Sequence, residues 1–173
     1  MKIDITDLRS TENLTKELQV SIDMEVFQSK MGAFPVKEKS PFFLHLENQE
    51  NQWLTVSGET DVTLLVPCDR CLEETPVTLH LVIRRRYPLE GTGLEEETAD
   101  SDYLEGAELD IDRLIYDEIL INRPMKVLCK EDCKGICRKC GTNLNYKTCL
   151  CDQREKDPRM AAIQDIFQQF KEV

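Results

Sequence analysis
The sequence predicts an α+β protein: an antiparallel, barrel-like sheet, a helix, a cysteine-rich ribbon and a C-terminal helix. Three observations lead there. Apolar and polar residues alternate in several stretches of the first half. A helical stripe follows near residue 110. Six of the eight cysteines then fall in residues 129–151, "CKEDCKGICRKCGTNLNYKTCLC".

Residues 17–25, "ELQVSIDME", place Leu18, Val20, Ile22 and Met24 on one face, the period of a half-buried strand. Strands follow at 41–48, 53–58 and 61–66, and at 76–87, where Val77, Leu79, Leu81 and Ile83 share a side. Short links between successive strands favour an antiparallel sheet curling towards a small barrel. The "CDRC" of Cys68 and Cys71 falls at the turn between two of these strands.

Residues 90–107 are acidic, carry Gly91, Gly93 and Gly106, and lack periodicity, which reads as a loop. Residues 109–122 fit a helix, with Asp110 or Asp112 accepting from its free amides and Ile111, Leu114, Ile115 and Ile119 as its stripe. Arg123 precedes a proline and ends it. "DPR" announces the last helix, with Asp157 as N-cap and Pro158 at the first helical position. The chain divides into a β-rich part, 1–122, with its acidic loop and helix, and a cysteine-rich segment with the C-terminal helix, 123–173.

No apolar run approaches the 18 or so residues of a membrane span. The N-terminal residues, charged from Lys2, lack the apolar stretch of a signal peptide. A cytoplasmic protein is expected, where thiols stay reduced and eight cysteines point to metal rather than to a disulfide framework. The formal net charge is −11, a poor start for phosphate contacts. The charge is segregated, however. Residues 87–118 carry twelve acids against Arg113 alone, and residues 123–156 carry nine bases against four acids.

Zinc takes four thiolates in a tetrahedron at structural sites, commonly from pairs two to four residues apart. The cysteines sort into four such pairs. "CRKCG" at 137–141 looks like a zinc knuckle, and Cys149 and Cys151 of "CLC" can close it into a local, zinc-ribbon-like site with Cys137 and Cys140. Cys129 and Cys133 would then join Cys68 and Cys71 in a long-range site. Two Zn²⁺ per chain are expected on this reading. A rival puts a single zinc on Cys129, Cys133, Cys137 and Cys140 and leaves Cys68 and Cys71 free.

A redox "CDRC" is the enzymatic alternative, but a thioredoxin-like motif opens a helix after a strand, and this one lies between strands. Lys126, Lys130, Lys134, Arg138 and Lys139, with the strand end Arg84, Arg85 and Arg86, form a candidate nucleic-acid surface. The tail bases can equally offset thiolate charge. His45 and His80 read as ordinary strand residues. Nothing resembles a phosphate-cradling loop, a catalytic triad or a small-molecule site.

"CDRCLE" after a strand, an acidic stretch, "IDRLIYDEILINRPMKVLC", "CKGICRKCGTNLN…CLC" and the closing "DPRMAAI" resemble the YceD family, the large ribosomal RNA subunit accumulation proteins. The resemblance spans roughly residues 60–165. It implies a non-enzymatic factor in synthesis, processing or stability of large-subunit (23S) rRNA. The motif positions it carries over are Cys68, Cys71, Cys129, Cys133, Cys137 and Cys140. Expected partners are that rRNA or its precursor, a basic ribosomal protein held by the acidic stretch, or both.

Overall fold
The computed structural model describes residues 1–89 and 103–151. Among the described residues nine strands and two helices run in the order β1 (Lys2–Asp4), α1 (Thr6–Ser10), β2 (Thr15–Val20), β3 (Val26–Ser29), β4 (Gly32–Lys39), β5 (Phe42–Gln49), β6 (Trp53–Pro67), β7 (Glu74–Pro88), β8 (Leu104–Glu105), β9 (Glu108–Asp110) and α2 (Ile111–Asn122).

The organising element is the β6–β7 hairpin. Its strands pair antiparallel over their whole length, from Trp53 opposite Pro88 to Pro67 opposite Glu74. The second edge of β6 is divided between two partners. β5 takes the first half, from Gln49 opposite Trp53 to Leu44 opposite Gly58, and β4 takes the second, with Val36 opposite Leu64. Gly58 lies at the changeover. A Cβ there would sit 2.9 Å from the Phe43 carbonyl oxygen, so only glycine lets β5 come this close. The two strands expected at 53–58 and 61–66 are therefore one.

β2 pairs with β5 and β3 with β4, completing six strands. The expected barrel is not formed. Among the described residues β2, β3 and β7 each have a strand on one side only, and the sheet stays open. The β3–β4 hairpin falls in a stretch without an expected strand, and β2 ends at Val20, before the end of the expected 17–25.

One face of the sheet forms the core. Leu44 and Leu46 of β5, Leu54, Val56, Val62 and Leu64 of β6, and Leu81 and Ile83 of β7 are buried. α2 closes over them. Its stripe Ile111, Leu114, Ile115 and Ile119 is buried as expected, and Tyr116 meets Phe27 of β3 at 4.9 Å between ring centres. Asp110 is the N-cap, accepting from the Arg113 amide at 3.2 Å.

Glu118, on the buried side of α2, forms an ion pair with Arg85 of β7. Asn48 is fully buried and satisfied. Its amide donates to the Leu8 and Thr11 carbonyls, and its side-chain oxygen accepts from the Asn51 N–H, tying α1 to the β5–β6 turn.

A second, three-stranded sheet joins β1, β9 and β8. It brings order to residues 103–107, the end of the acidic stretch expected to be a loop, and Tyr103 there is buried. Residues 90–102 and the C-terminal helix expected from Asp157 lie outside the described residues. Among the described residues no helix is long and apolar enough to cross a membrane.

Candidate metal centres
Val66 and Pro67 lead the chain into the connection between β6 and β7. There the Cys68 N–H donates to the Glu73 carbonyl and the Leu72 N–H to the Cys68 carbonyl, a tight turn carrying Cys68 and Cys71. After α2 the chain returns to this turn and is stitched to it reciprocally. The Asp69 N–H donates to the Val127 carbonyl at 2.9 Å, and the Val127 N–H donates to the Asp69 carboxylate at 2.7 Å. Arg70 adds a bond from Nη1 to the Cys133 carbonyl at 2.8 Å and accepts the Ile136 N–H on its own carbonyl. Gly135 (φ +76°) presses against that same carbonyl, 3.0 Å from where a Cβ would stand. A side chain there would be both strained and crowded.

These contacts bring together Cys68, Cys71, Cys129 and Cys133, whose sulfurs all lie within 4.8 Å of one another. The sulfurs of Cys68 and Cys133 are 3.8 Å apart and those of Cys71 and Cys129 3.5 Å apart. A disulfide needs about 2.05 Å. Four sulfurs each about 2.3 Å from a tetrahedral zinc lie about 3.8 Å from one another. The spacing is that of ligands around an ion. Three of the four cysteines are buried and Cys129 partly so.

The second group is Cys137, Cys140, Cys149 and Cys151, with sulfurs again within 4.8 Å of one another. Here the chain closes locally. Ile136 bridges Asn143, the Cys137 N–H donates to the Thr142 carbonyl, and the Gly141 N–H donates to the Cys137 carbonyl. This group is more open to solvent, with Cys140 exposed and Cys149 and Cys151 half-buried. The pairing matches the two-site expectation, and the single site of Cys129, Cys133, Cys137 and Cys140 is not assembled.

The electrostatics fit a cation. Burial, the largest influence on Cys68, opposes its ionisation, yet the backbone amides of Arg70, Cys129 and Cys71 bring the thiol down to about 6. The Thr142 hydroxyl, 3.1 Å away, and then the Thr142 amide bring Cys140 down to about 6. The amide of Asn145 lowers Cys133, its Nδ2 standing 3.3 Å from the sulfur. Their neighbours cannot follow. Cys71 is favoured by the Glu73 amide, but burial and the thiols of Cys129, Cys68 and Cys133 push it up to about 12. Cys140 and then burial push Cys151 up to about 12, and burial raises Cys129. Each group thus holds sulfurs prepared to be thiolates beside sulfurs that need an added positive charge to become so.

Asn145 links the two groups. It sits in the loop of the second, yet its Oδ1 accepts the Lys134 N–H at 2.8 Å while Nδ2 reaches the Cys133 sulfur of the first. Asp69, Arg70, Thr142 and Asn145 escape sequence reasoning, which registers sulfur spacing and not what orients the sulfurs.

Lys126, Lys130, Lys134, Arg138 and Lys139 are all exposed on the cysteine-rich segment. The three arginines of β7 separate. Arg84 and Arg86 are exposed, Arg86 lying 4.4 Å over the Trp53 ring. Arg85 points the other way and is engaged by Glu118. His45 and His80 stand on the solvent side, 3.3 Å from Glu17 and 2.8 Å from Asp61.

An open-sheet protein whose strand hairpin and tail converge in one four-cysteine group, with a second such group closed within the tail, both able to hold metal ions, defines the class. The chain belongs to the family described as "Large ribosomal RNA subunit accumulation protein YceD", whose sequence model matches residues 56–167, more than half of the chain. Relatives include the chloroplastic "Large ribosomal RNA subunit accumulation protein YCED homolog 1" of Arabidopsis thaliana, 34% identical over 38% of this chain and 20% of its own. The "Uncharacterized protein YlbN" of Bacillus subtilis (strain 168) is 28% identical over 68% of this chain and 66% of its own. The "Uncharacterized protein ML1660" of Mycobacterium leprae (strain TN) is 29% identical over 51% of this chain and 42% of its own. The chain thus spans less than two-thirds of the length of each of these relatives. No solved structure matches.

Proposed function
We propose that this protein is a cytoplasmic, zinc-dependent ribosome biogenesis factor. It supports synthesis, processing or stability of large-subunit rRNA by binding rather than by catalysis. The observation that carries this is the family match over residues 56–167, which takes in both cysteine groups. The ions are zinc, held by Cys68, Cys71, Cys129 and Cys133 and by Cys137, Cys140, Cys149 and Cys151, because all-sulfur tetrahedral sets suit zinc and saturate it without an open position. Their role is mechanical. The first ion fastens the segment after α2 to the β6–β7 turn, so that Lys126, Lys130 and Lys134 stand on a rigid support.

Closed four-thiol sets also argue against a dithiol oxidoreductase, since Cys68 and Cys71 each have their close sulfur neighbour in the distant segment. A second reading has a specific basis in the twelve acids of residues 87–118: a chaperone holding a basic ribosomal protein.

Binding of a large-subunit rRNA fragment by the zinc-loaded protein tests the first reading, with affinity falling as salt rises. No binding even at low salt refutes it. Pull-down of ribosomal proteins after deletion of residues 92–106 tests the second, and an unchanged yield refutes that.

A further inference from the structure
We infer that the solvent face of the sheet is a platform for a short single-stranded RNA segment, with Phe43 as a base-stacking surface and Arg84 and Arg86 as phosphate contacts. The inference rests on the rRNA-binding reading above and deepens it, moving base contact away from the cysteine-rich tail.

The observations start with residues that the metal centres do not use. β2, β5, β6 and β7 lie side by side, and alternate residues of each point to solvent. On that face Phe43, near the start of β5 and opposite Gln19 of β2, is an apolar ring left 54% exposed. Across from it, Ser57 of β6 stands between His45 of β5 and Arg84 of β7. One row further, Thr55 stands between Glu47 and Arg86.

The small side chains of β6 make a trough. A hollow of about 440 Å³ has Ser57 and Gly58 as its floor and Phe43, His45, Val82 and Arg84 as its walls. A second, of about 330 Å³, shares Arg84 and adds Arg86. A third, also about 330 Å³, shares Arg86 and reaches Trp53 and Asn13, with Glu47 and Glu50 also in its lining. The three hollows are neighbours along this face, Arg84 bordering the first two and Arg86 the last two.

The dimensions and chemistry fit a single strand of RNA. From Phe43 to Gln49, beside Trp53, β5 covers about 20 Å at about 3.3 Å per residue, room for about three unstacked nucleotides. Sheets that read RNA stack two or three bases on aromatic residues while arginine and lysine hold the backbone. A duplex presents its bases edge-on and cannot lay one on Phe43. Arg86, its guanidinium 4.4 Å over the Trp53 ring, is a cation already placed beside a second π-face. Glu17, Glu47 and Glu59 share this face. Three glutamates against Arg84 and Arg86 leave the face with no net positive charge, so base stacking on Phe43 and local arginine contacts, not bulk electrostatics, must supply the binding.

The full-length, zinc-loaded protein is titrated at low salt with labelled short oligouridine and oligoadenosine strands and with an RNA duplex of equal length. Phe43→Ala should weaken single-strand binding about 10-fold or more, the loss of one base–aromatic stack. Phe43→Trp should restore it. Arg84→Ala with Arg86→Ala should lower the slope of log affinity against log salt by about 1.4, two phosphates at about 0.7 each. Photocrosslinks should fall in residues 42–49 and 82–86. Single-strand binding within twofold after Phe43→Ala, with crosslinks confined to residues 126–139, overturns the platform and leaves rRNA binding intact. Equal, Phe43-independent affinity for the duplex also overturns it. So does a crosslink from this face to a ribosomal protein in place of RNA. Absence of binding to every RNA, together with no binding of the rRNA fragment, fails both readings at once.

Discussion

Cys68→Ser removes one sulfur from the group that joins the β6–β7 turn to the segment after α2. A zinc ion held there cross-links residues 65 apart in sequence, Cys68 and Cys133. Chain-entropy reasoning for a link of that span gives about 4 kcal/mol, against about 3 kcal/mol for the roughly 14 residues between Cys137 and Cys151. The first ion is therefore the stronger staple by about tenfold in the folding equilibrium. A loss of about 4 kcal/mol should lower the melting temperature by about 10 °C in a chain of this size. Metal analysis should fall from two equivalents to one, and the amides of Asp69, Val127 and Ile136 should lose protection from hydrogen exchange. Matched wild-type and Cys68→Ser protein, purified from zinc-replete cells, provides the assay. One equivalent in both, with unchanged exchange at Val127, refutes the two-centre reasoning.

Cys140→Ser should also cost one equivalent, but exchange should rise only near residues 137–151 while the Asp69–Val127 bonds stay protected. Asn145→Leu removes the donor to the Cys133 sulfur and should lower zinc affinity of the first centre about 10–100-fold, read by chelator competition. Loading zinc at neutral pH should release protons, because Cys71 and Cys151, pushed up to about 12, are protonated in the metal-free protein. Affinity must then fall as pH falls, and calorimetry in buffers of different ionisation enthalpy measures the count. Glu118→Ala leaves Arg85 half-buried and unpaired and should destabilise by about 3 kcal/mol, while the double change Arg85→Met with Glu118→Leu should be much milder, both read from urea midpoints.

Much of this was legible in the sequence because it rests on local pattern. Strand patterns placed β5 and β7 and both halves of β6, though as two strands, and the stripe Ile111, Leu114, Ile115 and Ile119 placed α2. The pairing of cysteines followed from spacing and from a knuckle that closes on itself. What escaped depends on distant contacts. Gly58 is the last residue of the strand expected at 53–58, yet it lets one longer strand serve two partners. The β3–β4 hairpin holds Pro35 and several charges and is stabilised by Phe27 against Tyr116 of a helix far along the chain. Openness of the sheet hangs on where strand pairing stops, which alternation does not encode. Arg85 differs from Arg84 and Arg86 only through the pleat and a partner 33 positions later, Glu118.

The convergence of two early and two late cysteines also has a consequence for biosynthesis. A ribosome adds about 5–20 residues per second, so Cys71 leaves the exit tunnel several seconds before Cys133 can follow. During that interval the strand hairpin can form with its two thiols unshielded, open to oxidants and to the wrong ion. On the zinc assignment proposed above, cells short of zinc should accumulate damage first at Cys68 and Cys71, in chains still being made.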